Sequence, residues 1–351
     1  MERSGYRIID ANFNRAREAI RVVEDYCRFA LNNAELSSRA KELRHKLSGA
    51  IARLDAGKML AGRDTAGDVG IGQRPEGVME RRELKDSVTA AFKRWPEALR
   101  VLAEVLRVDE GAIAEEIEKL RYAGYVLEKD VALFADAQGR FSRVRLYVLI
   151  SSGLPAKIFA LAERCIAGGT DCLQLRAKDI EDDKYFAIAC EFVKICKGEG
   201  VLSIINDRVD IAAASGADGV HLGQNDLPLE EARKIQVTPL ILGKSTHTPG
   251  QLAEAIKEQP TYVSLGPVFA TPTKPKAQPV GLDYVKEALP ILSDTGIGHV
   301  AIGGITMDNI ESVLRAGAKT IAVSSAVSSS REPTEVCRKL KEKIAAFCDK
   351  Q

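Results

Sequence analysis

No stretch of the 351-residue chain stays apolar for the roughly 18 residues a membrane span requires. The N-terminus has no basic region running into an apolar one, so nothing there marks a secretory signal. Seven cysteines without a CxxC pair argue against a zinc site, and their odd number argues against a disulfide framework. These absences point to a reducing, cytoplasmic setting. Net charge is also scarce: +1 over the whole chain gives no reason to expect nucleic acid or a membrane surface as partner. No Ser-His-Asp or Cys-His arrangement is apparent, and no nucleophile is assigned.

What is present is the balance of an ordinary globular protein, 45% apolar and 28% charged, long enough for two domains or for one large barrel with an appendage. Charge divides unevenly along the chain. Residues 1–145 carry 27 Lys+Arg against 24 Asp+Glu, and 20 of those cations are arginine. Arginine suits bidentate contacts to phosphate or carboxylate, but it equally suits a helical surface laced with ion pairs.

Two rhythms follow one another. From Asp10 to about Phe134 the apolar period is helical. "DANFNRAREAIRVVEDYCRFAL" puts Ala16, Ala19, Val23, Tyr26, Cys27 and Ala30 on one stripe, with Asp10 as its N-cap. "SSRAKELRHKLSGAIARL", "ELKDSVTAAFKRWPEALRVLAEVL" and residues 112–134 read as further helices, and the glycine-rich segment 57–82 reads as a long loop. Near Arg145 short β-rich runs begin to alternate with helical segments. They are "LYVLI", "CLQLRA", "LSIIND", "GVHLG", "LILGKS", "YVSLGP", "HVAIGG" and "TIAVSS". Eight such units over about 200 residues are the count and size of a (β/α)8 TIM barrel. An open doubly wound sheet would normally show GxGxxG after its first strand, and "LYVLISSGLPAK" has none. The expected organisation is a mainly helical domain over 1–140 and a barrel over 141–351.

The active site of such a barrel lies at the C-terminal ends of its strands, so polar residues there carry the chemistry. Gly303-Gly304 and Ser324-Ser325, ending strands seven and eight, resemble a phosphate cup. Asp207 and Asp226 suit Mg²⁺, which takes one or two carboxylates beside substrate phosphates; as alternatives, each could cap the helix that follows it. Gln174, Arg176 and Lys178 alternate toward the axis, and two inward cations make sense only if an anion fills the gap. Thr271, Thr273 and Lys274 in "TPTK" add hydroxyl donors and a third cation, in a proline-stiffened loop read as a phosphate clamp. His221, inside strand four, reads as a structural, hydrogen-bonded histidine.

In order, "QLRAK", "INDR", "GVHLGQND", "GKSTHT", "LGPVFATPTK", "AIGGI" and "VSSAV" resemble thiamine-phosphate synthase, over about residues 144–347. The resemblance implies Mg²⁺-dependent coupling of hydroxymethylpyrimidine diphosphate to a thiazole phosphate, releasing pyrophosphate through a pyrimidine-stabilised cation. It implies that Gln174, Arg176 and Lys178 contact the diphosphate and pyrimidine, that Asn206 lines the pyrimidine pocket, and that Asp207 and Asp226 hold the metal. Ser245 and Lys274 would attend the departing pyrophosphate, and Thr271 and Thr273 the thiazole phosphate. Gly304, Ser324 and Ser325 would form the phosphate cup. Arg208 departs from the family, which often has an acidic or small residue there. A thiazole tautomerase of the same fold would not need the diphosphate-side residues retained here, and a non-catalytic ligand-binding barrel is the alternative from another class.

The N-terminal segments "RIIDANFNRAREAIRVVEDYCRF" and "GRDTAGDVG" resemble a helical domain fused to some of these synthases and proposed to be a hydroxymethylpyrimidine-phosphate kinase. No GxxxxGK[ST] loop supports that reading. Asp10, Asn12, Arg15, Arg21, Glu24, Arg63, Asp64 and Asp68 could build a polar site there, or a solvated helix face with a capped loop. The expected partners are small phosphorylated molecules, and homo-oligomerisation is left open.

Overall fold

The computed structural model describes residues 1–65, 67–70, 81–152, 154–177, 180–235, 238–271 and 277–348. The chain divides into two compact units, Met1–Ala132 and Leu133–Gln351.

The first unit is helical. It holds α1 (Arg3–Asp25), a π-helical turn (Tyr26–Ala30), α2 (Ala34–Ile51), α3 (Ala56–Gly62), α4 (Leu84–Leu106) and the first part of α5 (Gly111–Phe141). Ile9, Ala16, Ile20 and Val23 make the buried stripe of α1, at the three- and four-residue spacing that gives a helix one apolar face. That face packs chiefly on α4, where Leu99, Leu102 and Leu106 are buried. Asn33 caps α2 by accepting from Leu36 N at 2.9 Å, and Asp55 caps α3 by accepting from Lys58 N at 3.0 Å.

Two sequence expectations are corrected here. Asp10 is not an N-cap: "RSGYRII" continues the helical period, so α1 starts at Arg3 and Asp10 lies inside it, 7% exposed. In addition, α3 occupies the start of the segment expected to be loop throughout.

The second unit is a closed parallel barrel whose eight strands pair in chain order, β8 returning to β1 through Leu146↔Ile321. The strands are β1 (Leu146–Ile150), β2 (Cys172–Leu175), β3 (Leu202–Asn206), β4 (Gly219–Leu222), β5 (Ile241–Thr246), β6 (Tyr262–Leu265), β7 (Gly298–Ile302) and β8 (Ile321–Val323). Helices α6 (Pro155–Ala167), α7 (Asp182–Gly198), α8 (Val209–Ser215), α9 (Leu229–Ile235), α10 (Pro249–Lys257), α11 (Gly281–Ser293) and α12 (Ile310–Arg315) link successive strands. After β8 come the short α13 (Ser325–Ser328) and α14 (Pro333–Cys348). Each strand overlaps one of the β-rich runs in the sequence.

Side chains alternate across this wall. In β1, Leu146, Val148 and Ile150 face the layer between strands and helices, while Tyr147 and Leu149 fill the interior. Ala137 and Phe141, from the end of α5, belong to that interior cluster as well. Gln138 Nε2 donates to the Thr261 carbonyl at 3.1 Å, and Arg140 Nη1 donates to Asp218 Oδ1 at 2.8 Å. The end of α5 therefore closes the N-terminal end of the barrel, leaving the C-terminal mouth to ligands.

Candidate active site

A cavity of about 570 Å³ opens at that mouth, walled by residues from all eight strands or the turns that follow them. Inward alternation explains its polar lining. Gln174 follows Cys172 on the inner face of β2, and Arg176 continues that alternation just past the strand end. Asn206 follows Ile204 on β3, and Ser245 follows Ile241 and Gly243 on β5. Asp207, Asp226, Thr271, Gly304, Ser324 and Ser325 line the same cavity. Lys178, Thr273 and Lys274 lie outside the described residues, as does most of the loop read as a clamp.

Five polar side chains form a continuous chain beneath the cavity. Gln174 Nε2 donates to Tyr147 Oη at 2.9 Å, and the Tyr147 and Tyr262 hydroxyls are 3.0 Å apart. His221 Nδ1 is 3.0 Å from Tyr262 Oη, and His221 Nε2 is 3.0 Å from Ser245 Oγ. Burial pushes the ionisation of both phenols well above the usual tyrosine range, so both remain neutral hydroxyls. Gln174 Oε1 is buried without a partner among the described residues, a state that costs roughly 1–3 kcal/mol unless a ligand N–H satisfies it. The structural role expected of His221 is met, since both ring nitrogens are bonded. Sequence reasoning missed Tyr147 and Tyr262. The signal was the alternation in "LYVLI" and "YVSLGP", which turns both rings inward.

The two carboxylates are not helix caps. Asp207 takes a left-handed φ of 65°, and α8 begins after Arg208 with no side-chain cap. An aspartate in that region carries backbone strain of the kind found at functional sites. Its N–H donates to the His221 carbonyl at 2.9 Å. Asp226 Oδ2 accepts from Gly223 N at 2.6 Å, tightening the turn after β4. Arg208, the departure from the family pattern, is neutralised locally. Its Nη2 meets Asp210 Oδ2 at 2.6 Å and its Nη1 meets Asp182 Oδ1 at 2.5 Å, and Arg208 holds the Asp210 carboxyl below its usual range.

At β7 and β8 the backbone supplies the polarity. Gly303 and Gly304 have φ of 104° and 63°, values open to glycine at little cost. Asn309 Nδ2 donates to the Gly304 carbonyl at 2.9 Å, and Ser324 Oγ donates to the Leu149 carbonyl at 3.0 Å. His247 also lines the cavity; its N–H donates to Gln251 Oε1 at 2.8 Å and its Nδ1 meets the Gly266 carbonyl.

The N-terminal candidates are only partly brought together. Arg63 Nε and Nη2 donate to Asp10 Oδ2 and Oδ1 at 2.6 and 2.8 Å, and Arg7 Nη2 donates to the Asp64 carbonyl at 2.9 Å. Asp64 and Asp68 each accept from a nearby glycine N–H in a turn. Asn12 Nδ2 is spent on the Ile8 carbonyl at 2.9 Å, and Arg15 is exposed. Apart from these, Glu24 pairs with Arg44 at 2.7 Å and with Arg21 at 3.6 Å, and Arg21 also meets Asp25 at 3.1 Å.

The family model for thiamine monophosphate synthase matches residues 146–327. The chain belongs to that family. A second model, the ThiD2 family, matches residues 7–130. The thiamine-phosphate synthase of Synechocystis sp. is 38% identical over 334 residues, spanning 95% of this chain and 94% of that protein. That of Gloeobacter violaceus is 40% identical over 329 residues, 93% of each. Among solved structures, thiamine phosphate pyrophosphorylase from Pyrococcus furiosus matches with a TM-score of 0.53 and 30% identity, covering 58% of this chain and 96% of that one. As a member of the thiamine monophosphate synthase family the chain is a transferase of thiamine biosynthesis. No helix among the described residues is long and apolar enough to cross a membrane.

Proposed function

We propose that the barrel joins hydroxymethylpyrimidine diphosphate to a thiazole phosphate. The C–O bond to the diphosphate breaks first, pyrophosphate leaves with the electron pair, and the thiazole nitrogen then forms the C–N bond to the resulting cation. The observation that carries this reading is the convergence of Gln174, Arg176, Asn206, Asp207, Asp226 and Ser245 on one cavity. Gln174 Oε1 takes an N–H of the pyrimidine, with Asn206 beside it. Arg176 and Ser245, joined by Lys178 and Lys274, stabilise charge on the departing pyrophosphate, the step at which fixed donors count most. Thr271 and Thr273 attend the thiazole phosphate, and Gly304, Ser324 and Ser325 bind it largely through backbone N–H groups.

The residues present fit Mg²⁺. Asp207 and Asp226 follow adjacent strands and line one cavity, and Asp226 Oδ1 has no protein partner among the described residues. Among the described residues no group of three or more His, Cys, Asp or Glu is placed to hold a metal ion, so Mg²⁺ at these two carboxylates would draw its other ligands from water and phosphate. When bound there, Mg²⁺ would neutralise charge on the diphosphate.

The test is pyrophosphate release matched by thiamine phosphate formation when the full chain receives both substrates and Mg²⁺, with loss of both on adding a chelator. Neither product under any condition would overturn the reading. For the first unit, the ThiD2 family match favours a second reading, phosphorylation of hydroxymethylpyrimidine monophosphate to the diphosphate. Thiamine phosphate made from the monophosphate, ATP, Mg²⁺ and thiazole phosphate would establish it; product only from the diphosphate would exclude it.

A further inference from the structure

Ser245 lies at one end of a hydrogen-bonded chain whose direction is set at the other. Gln174 Nε2, which can only donate, meets Tyr147 Oη at 2.9 Å. The phenol that accepts there has one hydrogen to give, and Tyr262 Oη is 3.0 Å away. The Cys172 thiol also reaches Tyr147, but sulfur is the weaker partner. Tyr262 passes its own hydrogen to His221 Nδ1 at 3.0 Å. A neutral imidazole that accepts at Nδ1 carries its hydrogen on Nε2, and Nε2 faces Ser245 Oγ at 3.0 Å. Ser245 therefore accepts from the histidine, and its hydroxyl hydrogen is left for the cavity.

We propose that Tyr147, Tyr262 and His221 are positioning residues that keep Ser245 a hydrogen-bond donor toward the leaving pyrophosphate. The inference rests on the coupling reaction proposed above. The opposite polarity would need either the Gln174 carbonyl turned onto Tyr147 or the Tyr147 hydrogen spent on the weaker Cys172 sulfur. It would spend the Ser245 hydrogen on the imidazole and leave only lone pairs facing an anion. Gly243 marks how closely the chain is built: a Cβ there would lie 2.4 Å from Tyr262 Oη and 2.5 Å from His221 Nδ1.

Two measurements on the full chain test this. In protein carrying isotope-labelled histidine, long-range proton–nitrogen correlations report which ring nitrogen holds the hydrogen, and His221→Gln assigns the signals among the four histidines by their loss. The Nε2–H tautomer is the expected result, and the Nδ1–H tautomer would overturn the proposal. In the coupling assay, Tyr262→Phe should lower kcat on the order of tenfold with both KM values within about twofold. His221→Gln puts its amide nitrogen where Nε2 stood and should keep several-fold more kcat than His221→Asn, whose amide stands at Nδ1. A role in packing alone would depress both histidine variants alike, so equal values, or parental kcat in Tyr262→Phe, would sink the idea. A parent chain that releases no pyrophosphate would overturn the functional reading instead, and the tautomer would still decide the direction of the chain.

Discussion

Phe141, the last residue of α5, stacks on Tyr262 of β6 with ring centroids 4.1 Å apart and planes 5° from parallel. One tyrosine thus touches the floor of the barrel with its face and the polar chain under the active site with its hydroxyl. Packing at the closed end and geometry at the open end meet in a single side chain.

That contact makes the point of truncation matter. A fragment starting at residue 133 keeps Ala137, Gln138 and Arg140 on the barrel floor; one starting at 141, the boundary expected from sequence, loses all three. Gln138 and Arg140 bond to Thr261, Asp218 and the Pro239 carbonyl. With several hydrogen bonds at about 1 kcal/mol each and the buried Ala137 methyl lost, the shorter fragment should unfold at clearly lower urea concentration. Equal midpoints would show that the helix end contributes nothing to the floor.

Asp207→Ala and Asp226→Ala should each reduce the coupling rate on the order of 10²-fold or more at saturating Mg²⁺. Asp226→Ala also frees the Gly223 N–H, a loss of about 1 kcal/mol, so both variants should remain folded. Steady-state rates across a Mg²⁺ titration decide the matter. Parental rates in both would remove the metal assignment.

Lys274→Ala should depress kcat more than it raises KM for thiazole phosphate, because the proposed charge acts on the leaving group. Thr271→Ala, altering a residue of the cavity wall, should chiefly raise that KM. A Lys274→Ala variant with kcat within about twofold of the parent would end the clamp reading.

Gly243→Ala forces a methyl to within 2.3 Å of Tyr262 Cζ. Overpacking of this kind costs roughly 1–3 kcal/mol. The variant should lose activity out of proportion to its fall in melting temperature, since the ring that must move carries the polar chain. Activity that tracks the folded fraction alone would count against the link.

His299 supplies a pH dependence. Lys319 N donates to its Nε2 at 2.9 Å, and burial, with Lys319 and Arg145 adding to it, draws the imidazole from its usual 6.5 down to about 4. Between those values the unfolded chain binds a proton that the folded chain does not, so stability rises with pH through the window. The contribution is fully present above the upper value and is lost as the pH falls. Its size is on the order of 1–2 kcal/mol, discounted for partial exposure. Urea unfolding at about pH 7 and about pH 5 should show the difference, and His299→Gln should reduce it.

The barrel was legible because each strand is a short β-rich run between helical segments, and a parallel barrel needs little more pattern than that. The site was legible at the strand ends, where polar residues such as Arg176 and Asp207 interrupt apolar runs. The Tyr147–Tyr262 contact was not, since it joins positions 115 apart through barrel closure. Nor was the start of α1, where exposed polar residues before Asp10 hide the continuing helical period. Gly243 could have been read: a glycine inside a strand points to close approach of a neighbour. The end of α5 escaped because its apolar residues face the barrel interior, a surface that exists only after the strands have closed.

Gly303 and Gly304 have a second consequence. A Cβ on Gly303 would stand 2.4 Å from Pro267 Cα, and one on Gly304 would stand 2.4 Å from the Ala270 carbonyl oxygen. The turn proposed to seat a phosphate is therefore also the wall against which the chain leaving β6 rests. An engineer seeking room for a bulkier acceptor substrate could not recut either segment by itself, because their backbones touch with no side chain between them to yield. Both would have to be redrawn together, and substitutions split between them should combine non-additively.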